Sequence, residues 1–280
     1  MVVTDLDGTL LDSDGRLSER NRRTLRELGA QGVLRVVATG RNLHSARSAI
    51  AVDTPIDYLV FASGAGTVSW PHGILLNACH LDDALASTAA AQLMALGLDF
   101  MLHAGVPDNH HFWYHRAASG NADFERRVAR YSDFCEPWPQ QWPEQRPTGP
   151  FSQLLAVQAS ERSADYDEQH RDLRARLAPL NVIRATSPLD HRSVWFEVFA
   201  DGVSKASGAQ WLLRRYGLSQ QTVLAVGNDY NDEDMLAWAA HAAVVDNAPA
   251  DLRARYRTCP SNDAEGFSEA VNEWLAGGHI

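Results

Sequence analysis

The chain has 280 residues, 45% hydrophobic and 21% charged, a balance that supports a globular core and excludes a disordered polypeptide. Its length exceeds the commonest domain size and admits one large or two modest domains. With 25 basic and 35 acidic residues the formal net charge is −10, and no basic run interrupts it, so neither a nucleic-acid backbone nor an anionic membrane is the expected partner.

Val2 and Val3 begin a short buried strand that ends at Thr4-Asp5, and Gly8 breaks it. Ser18 is a good N-cap for a helix over 19–28, and Gly32 follows where a C-terminal glycine is expected. The β-branched run 33–38 predicts a strand covered on both faces, ending at Thr39-Gly40. A third such run, 58–62, ends at Ser63-Gly64. Strands alternating with helices over short connections predict right-handed βαβ units and a parallel sheet.

The pattern changes from about Trp70 to His191, where Trp, His and Pro are dense. Helices are predicted over 82–96 and 165–177, and strands over 100–103, 111–114, 154–159 and 182–185. Pro137, Pro139, Pro143, Pro147 and Pro150 mark an irregular connection between the two halves of this region. The apolar stretch 85–102 carries Gln92 and Asp99 and keeps helical periodicity, which suits a packed helix leading into a strand rather than a membrane span. Doubly wound character returns after Val194, with a helix over 205–216, a strand over 222–226, a helix over 232–240 and a strand over 242–245. The expected architecture is therefore α/β: a Rossmann-like doubly wound parallel sheet from 1–69 and 192–280, with an inserted α+β domain over 70–191.

Cys79, Cys135 and Cys259 lie far apart and form no CxxC pair, which reads as reduced thiols. The opening Met1-Val2-Val3-Thr4-Asp5 has no basic or long apolar leader, so a cytoplasmic location is expected.

In an open parallel sheet the ligand crevice lies beyond the carboxyl ends of the strands. The strand ends here carry Asp5-Leu6-Asp7, Thr39-Gly40-Arg41 and Gly227-Asn228-Asp229-Tyr230-Asn231-Asp232. Carboxylates gathered in this way need a cation to offset their repulsion, and oxygen donors without thiolates suit a hard ion such as Mg²⁺.

The segment Asp5-Leu6-Asp7-Gly8-Thr9-Leu10 resembles the first motif of the haloacid dehalogenase superfamily. Thr39, Lys205 and the Gly227–Asp232 loop resemble its other motifs, in order. Within the superfamily the likeness is to the Cof-type (class IIB) sugar phosphatases, whose C2-type α+β cap is inserted between the Thr and Lys motifs. Asn247-Ala248 and the 261–266 segment are also Cof-like. The resemblance implies that Asp5 is a nucleophile forming an aspartyl phosphate and that Asp7 is the acid and base. It further implies that Mg²⁺ is bound by Asp5 and the Asp7 carbonyl, and that Thr39, Gly40, Lys205 and Asn231 hold the phosphate. The implied substrate is a small phosphorylated metabolite, probed for specificity by the cap; nothing bears on oligomeric state.

The last motif departs from the Gly-Asp-Gly-x-Asn-Asp typical of the family. Asn228 stands at the usual first acidic ligand, so either Asp229 or Asp232 supplies the missing charge, or the metal is bound more weakly. Ser63 takes the place of a common Asn. Arg41 is open between a phosphate contact and a structural ion pair. His103, His110, His111 and His115 fit no standard zinc spacing and are expected at solvent or along a polar cleft. Trp113, Trp138, Trp142 and Trp195 are expected to pack, and Glu125, Arg126, Arg127 and Arg130 to form an exposed helix face. Two other functions share these motifs: an intramolecular phosphotransferase acting on a phosphosugar, and a non-catalytic phosphoacceptor or sensing module.

Overall fold

The computed structural model describes residues 1–117, 120–141, 143–159 and 165–278. The chain divides into two units, Met1–Ala78 with Ser204–Ile280 and Cys79–Val203.

The first unit begins with the strands β1 (Val2–Thr4), β2 (Arg35–Ala38) and β3 (Tyr58–Phe61), and the antiparallel strands β4 (Gly66–Ser69) and β5 (Leu75–Ala78) follow. Helix α1 (Glu19–Ala30) is capped by Ser18, whose side chain accepts from the Asn21 amide, and helix α2 (Leu43–Ala49) is capped likewise by Asn42. Gly32 adopts a positive φ just past α1, as expected of a glycine that ends a helix.

The second unit contains β6 (Asp99–Ala104), β7 (Phe112–His115), β8 (Cys135–Pro137), β9 (Phe151–Gln158), β10 (Asn181–Thr186) and β11 (Val194–Phe199). Its helices are α3 (Asp83–Ala95), α4 (Ala122–Arg130) and α5 (Tyr166–Arg176). The strands lie in the order β10-β11-β9-β6-β7-β8, antiparallel except for β7 with β8. Strand side chains alternate between faces. Phe100, Leu154 and Phe196 pack with Ala89 and Leu93 of α3 and Leu173 of α5, whereas Met101, Leu155 and Trp195 pack with Phe124 and Val128 of α4.

Back in the first unit the chain continues with α6 (Lys205–Arg215), β12 (Leu224–Gly227), α7 (Glu233–Trp238), β13 (His241–Val245), α8 (Ala250–Arg255), β14 (Arg257–Cys259) and α9 (Gly266–Ala276). The sheet order is β14-β13-β12-β1-β2-β3-β4-β5, parallel from β14 to β3. Val3, Val36, Val60, Ala225 and Val244 are buried in its core, which is why these strands read as continuous apolar runs. From β1 the chain runs outward on one side to β2 and β3 and later on the other to β12 and β13. Strand β1 is thus the switch point, beyond whose carboxyl end a ligand crevice is expected.

The units meet the chain at other positions than the sequence boundaries. Segment 70–78 belongs to the first unit, because the β4–β5 hairpin extends the core sheet, and 192–203 to the second, because β11 lies between β9 and β10.

His103, expected at solvent or along a polar cleft, is buried, with Nδ1 donating to the Asn109 carbonyl at 2.8 Å. Burial first, then the nearby Arg127, lowers its pKa to about 3, so the ring is neutral at ordinary pH. Arg127 does not share the exposed face of its helix. Its guanidinium lies 4.7 Å from the Trp195 ring centroid, and the Trp195 indole donates to buried Asp123 at 2.7 Å. Trp113 and Trp138 pack edge-on against Phe151 and Phe100. Trp142 lies outside the described residues. Among the described residues no helix is long and apolar enough to cross a membrane.

Helix α6 seats on β3 through Gly208, where an added Cβ would stand 2.5 Å from Val60 Cγ1. Replacing Gly208 by Ala is expected to lower stability by about 1–3 kcal/mol through overpacking. Chemical denaturation reads this as a lower midpoint, and an unchanged midpoint would show that the helix–sheet seam is slack.

Candidate active site at the switch strand

Asp5 ends β1, with its amide donating to the Val226 carbonyl of β12 at 2.9 Å. The chain then makes one tight turn over Leu6–Leu10, in which Gly8 takes φ +73°. Glycine is required there on two counts. The backbone conformation is left-handed, and a Cβ would meet the Asn228 amide nitrogen at 2.8 Å.

The turn is braced from the far end of the sequence. Asn247 Nδ2 donates to the Gly8 carbonyl at 2.8 Å, and Asn247 Oδ1 accepts from the Asn262 amide at 3.0 Å. Asn262 Nδ2 reaches the Leu11 carbonyl and Asn21 Nδ2 the Leu10 carbonyl, both at 3.0 Å. The segments around Asn247 and 261–266 thereby acquire a physical role: their amides satisfy carbonyls of the loop after Asp5 and fix its path.

Lys205, the first residue of α6, is set by the Ser204 cap, whose hydroxyl accepts from the Ser207 amide. Its side chain is 0% exposed, and Nζ donates to Asp5 Oδ1 at 2.6 Å, Asp232 Oδ1 at 2.7 Å and Asn231 Oδ1 at 3.2 Å. An ammonium has three hydrogens, and all three are directed at these oxygens. Burial opposes the charge on Lys205, but Asp232 and Asp5 outweigh it and hold its pKa above the ordinary lysine value. For Asp5, burial is the largest effect and raises the pKa to about 7. Lys205 pulls against it, while Asp232 and Asp7 push the same way. Removing one partner from such a buried pair costs about 3–5 kcal/mol, because the other charge is left uncompensated.

Asp232, named from sequence among the metal residues, has both oxygens committed. Oδ1 accepts from Lys205, and Oδ2 accepts from the amides of Asn228 at 2.8 Å and Asp229 at 3.1 Å. Asp229 stands at the start of the short turn Tyr230–Asp232. The side chain that reaches the remaining oxygens is Asn228. With its amide nitrogen turned inward, Asn228 lies 3.1 Å from Asp5 Oδ2, 3.1 Å from the Asp7 carbonyl and 2.9 Å from Thr9 Oγ1. Turned over, the same end presents oxygen, which accepts from the Thr9 hydroxyl at 2.9 Å. Asp5 Oδ2, the Asp7 carbonyl and the Asn228 amide oxygen thus supply an all-oxygen donor set of the chemistry a hard divalent cation takes. Among the described residues no three His, Cys, Asp or Glu side chains gather into a metal cluster. A cation held here relies on one carboxylate, one carbonyl and one amide.

Thr39 follows β2 and is buried. Its hydroxyl accepts from the Arg41 amide at 3.1 Å, which leaves its own hydrogen to donate. Gly40 lies between the two. The Thr39 carbonyl accepts from the Ser63 amide at 3.0 Å. Arg41 forms an ion pair with Asp7. Nε donates to Asp7 Oδ2 and Nη2 to Asp7 Oδ1, both at 2.7 Å. Gly64, at φ +106°, lets the loop after β3 pass the start of α6, since a Cβ there would lie 2.1 Å from the Ser204 carbonyl oxygen.

The sequence model of the haloacid dehalogenase-like hydrolases matches residues 2–271. The chain is 25% identical to the 5-amino-6-(5-phospho-D-ribitylamino)uracil phosphatase YitU of Bacillus subtilis, over 99% of this chain and 97% of that one. Its fold is similar to that of SMU.1108c from Streptococcus mutans, with TM-score 0.77, 20% identity and 98% of each chain covered. It is similar also to that of the subclass IIB sugar phosphatase BT4131, with TM-score 0.73, 18% identity, and 100% of this chain and 99% of that one covered.

The Asp5 environment sets a pH dependence. The carboxyl goes from 3.8, its ordinary value, to about 7 in the folded chain. Its contribution to stability is complete at pH below the unfolded value and is lost as pH rises through the folded one. In chelator, the melting temperature of the wild type relative to Asp5→Asn is therefore expected to fall between about pH 4 and about pH 8. A difference independent of pH would contradict the raised value.

Proposed function

The chain belongs to the haloacid dehalogenase-like hydrolases, and from that premise we propose that it is a Mg²⁺-dependent phosphatase acting on a small phosphorylated metabolite through an aspartyl phosphate on Asp5. The observation that carries this reading is the division of labour on Asp5. One oxygen is held by Lys205 at 2.6 Å, and the other lies 3.1 Å from the Asn228 side-chain amide, which also reaches the Asp7 carbonyl. A carboxylate held by a lysine on one side, with only a neutral amide on the other, supports a role in attack on phosphorus rather than in holding the fold together.

Asp5, the Asp7 carbonyl and Asn228 would hold the cation, which supplies shielding between the Asp5 carboxylate and the charge of the phosphate. An oxygen of Asp5 forms the bond to phosphorus, and the ester oxygen leaves with its electron pair and takes a proton from Asp7. Asp7 then takes a proton from water, which attacks the phosphorus and regenerates the Asp5 carboxylate. The Thr39 hydroxyl and the Gly40 amide hold the non-bridging oxygens. Lys205 keeps Asp5 in place and adds its charge through it. The relatives YitU and BT4131 are named for a phosphorylated ribitylamino-uracil and for sugars, and a phosphorylated polyol or sugar is the substrate class that we assign here. The inserted unit, 79–203, would carry the groups that select it.

With Mg²⁺ present, wild-type protein is expected to release phosphate from p-nitrophenyl phosphate, and Asp5→Asn to lose at least about a thousandfold of that rate. Equal rates in the two proteins would remove Asp5 from the chemistry. Isomerised sugar phosphate without free phosphate would point instead to phosphoryl transfer within one sugar.

The amide at Asn228 has its own signature. Mg²⁺ is expected to raise the melting temperature by mass action, and Asn228→Asp to reach the same shift at lower Mg²⁺, because a charged oxygen replaces a neutral one. An unchanged Mg²⁺ dependence would place Asn228 outside the cation's reach.

A further inference from the structure

Arg41 and Asp7 form a pair that the scheme above leaves without a purpose. The pair is a fork on a fork: the Nε and Nη2 of Arg41 each bond a different oxygen of Asp7, both at 2.7 Å. Two parallel bonds fix the plane of a carboxylate as well as its position, which a lysine cannot do. The backbone behind the guanidinium is itself clamped. The Arg41 amide donates to Thr39 Oγ1 at 3.1 Å, and its carbonyl accepts from the Ala62 amide at 2.8 Å. Arg41 therefore joins the residue proposed to hold the phosphate to the residue proposed to move the proton.

A comparison within the same unit separates this pair from a structural one. Arg35 and Asp57 also form a fork, joined by the Arg35 amide and by the Leu25 carbonyl, much as Arg41 Nη1 donates to the Ser45 carbonyl at 3.4 Å, but that pair ties β2 to α1 and to the residue before β3. The Arg41–Asp7 pair instead lies at the carboxyl ends of the strands, with side chains 30% and 38% exposed, so its oxygens are within reach of an incoming ester.

We propose that Arg41 is the positioning residue of Asp7: it fixes the plane of the carboxyl group and takes up the negative charge that develops on Asp7 as its proton passes to the leaving oxygen. This rests on the phosphatase reading given above. In the step concerned, the Asp5 oxygen–phosphorus bond forms and the phosphorus–ester oxygen bond breaks. The ester oxygen keeps the electron pair and gains the Asp7 proton, and Asp7 becomes the carboxylate that Arg41 already faces. A guanidinium in place before the charge appears needs no reorganisation when it does.

The proposal distinguishes leaving groups. p-Nitrophenolate departs without a proton, whereas an alkoxide does not. The test compares kcat/KM for p-nitrophenyl phosphate and for benzyl phosphate, esters of similar bulk, with Mg²⁺, in wild type, Arg41→Ala and Arg41→Lys. Since kcat/KM covers the steps through departure of the leaving group, Arg41→Ala is expected to lose at least about tenfold more on benzyl phosphate than on p-nitrophenyl phosphate. Arg41→Lys, which keeps the charge and lacks the fork, is expected to fall between them, and it preserves the test if the Ala variant does not fold. Equal losses on the two esters, or a rise in KM alone, would overturn the proposal and make Arg41 a phosphate contact or a structural residue. Absence of turnover of either ester by the wild type would overturn the phosphatase reading and this proposal with it.

Discussion

A fully buried ammonium between two carboxylates is the constraint on which the first unit depends. Lys205 draws Asp5 from the end of β1 and Asp232 from the loop after β12 onto one point at the start of α6. Removing such a charge from water is costly, and the cost is met only because two anions stand within hydrogen-bonding distance of it. The arrangement is reciprocal. Asp5 and Asp232 would repel one another without the lysine, and the lysine would not tolerate burial without both. Three segments are therefore placed by one interaction, and Asp5, the proposed nucleophile, is one of its members.

Around that point the structure spends amides rather than charges. Asn247, Asn262 and Asn21 donate to the carbonyls of Gly8, Leu11 and Leu10, and Asn228 faces Asp5 and the carbonyl of Asp7. A side-chain amide satisfies a backbone carbonyl without adding net charge to a site that is already acidic. The same economy accounts for Asn228 in a family that usually places an acid there. With Asp232 committed to Lys205 and to two loop amides, the cation side of Asp5 is left with a neutral neighbour.

The inserted unit is organised by different means. Its sheet is largely antiparallel and covered by α3 and α5 on one face and α4 on the other, so buried polar groups on its strands need their own partners. Asp123 receives both the Trp195 indole and the Ser187 hydroxyl, and His103, kept neutral by burial, donates to the Asn109 carbonyl. The residues that looked from sequence like a polar cleft or an exposed basic face are in part the interior of this unit.

Much of the core was legible in the sequence. A strand buried on both faces requires a continuous apolar run, so β1, β2, β3 and β12 announce themselves, and so do Asp5, Thr39 and the Gly227–Asp232 loop at their ends, whereas Lys205 at the start of α6 came from the family resemblance. The β4–β5 hairpin and β11 were not legible as to which sheet they join. A run such as Val194–Phe199 records that a strand is buried but not its neighbours, and the pairing of β11 with β9 and β10 moves the boundary between the units to Val203. The identity of the chemical groups was likewise written in the sequence, while their commitments were not. That the oxygens of Asp232 meet Lys205, and that the guanidinium of Arg41 meets Asp7, follows from which lone pairs and hydrogens the packed chain brings together. Those are settled between groups 27, 34 and 200 residues apart, at separations where no local pattern reports on geometry and only the packed chain decides.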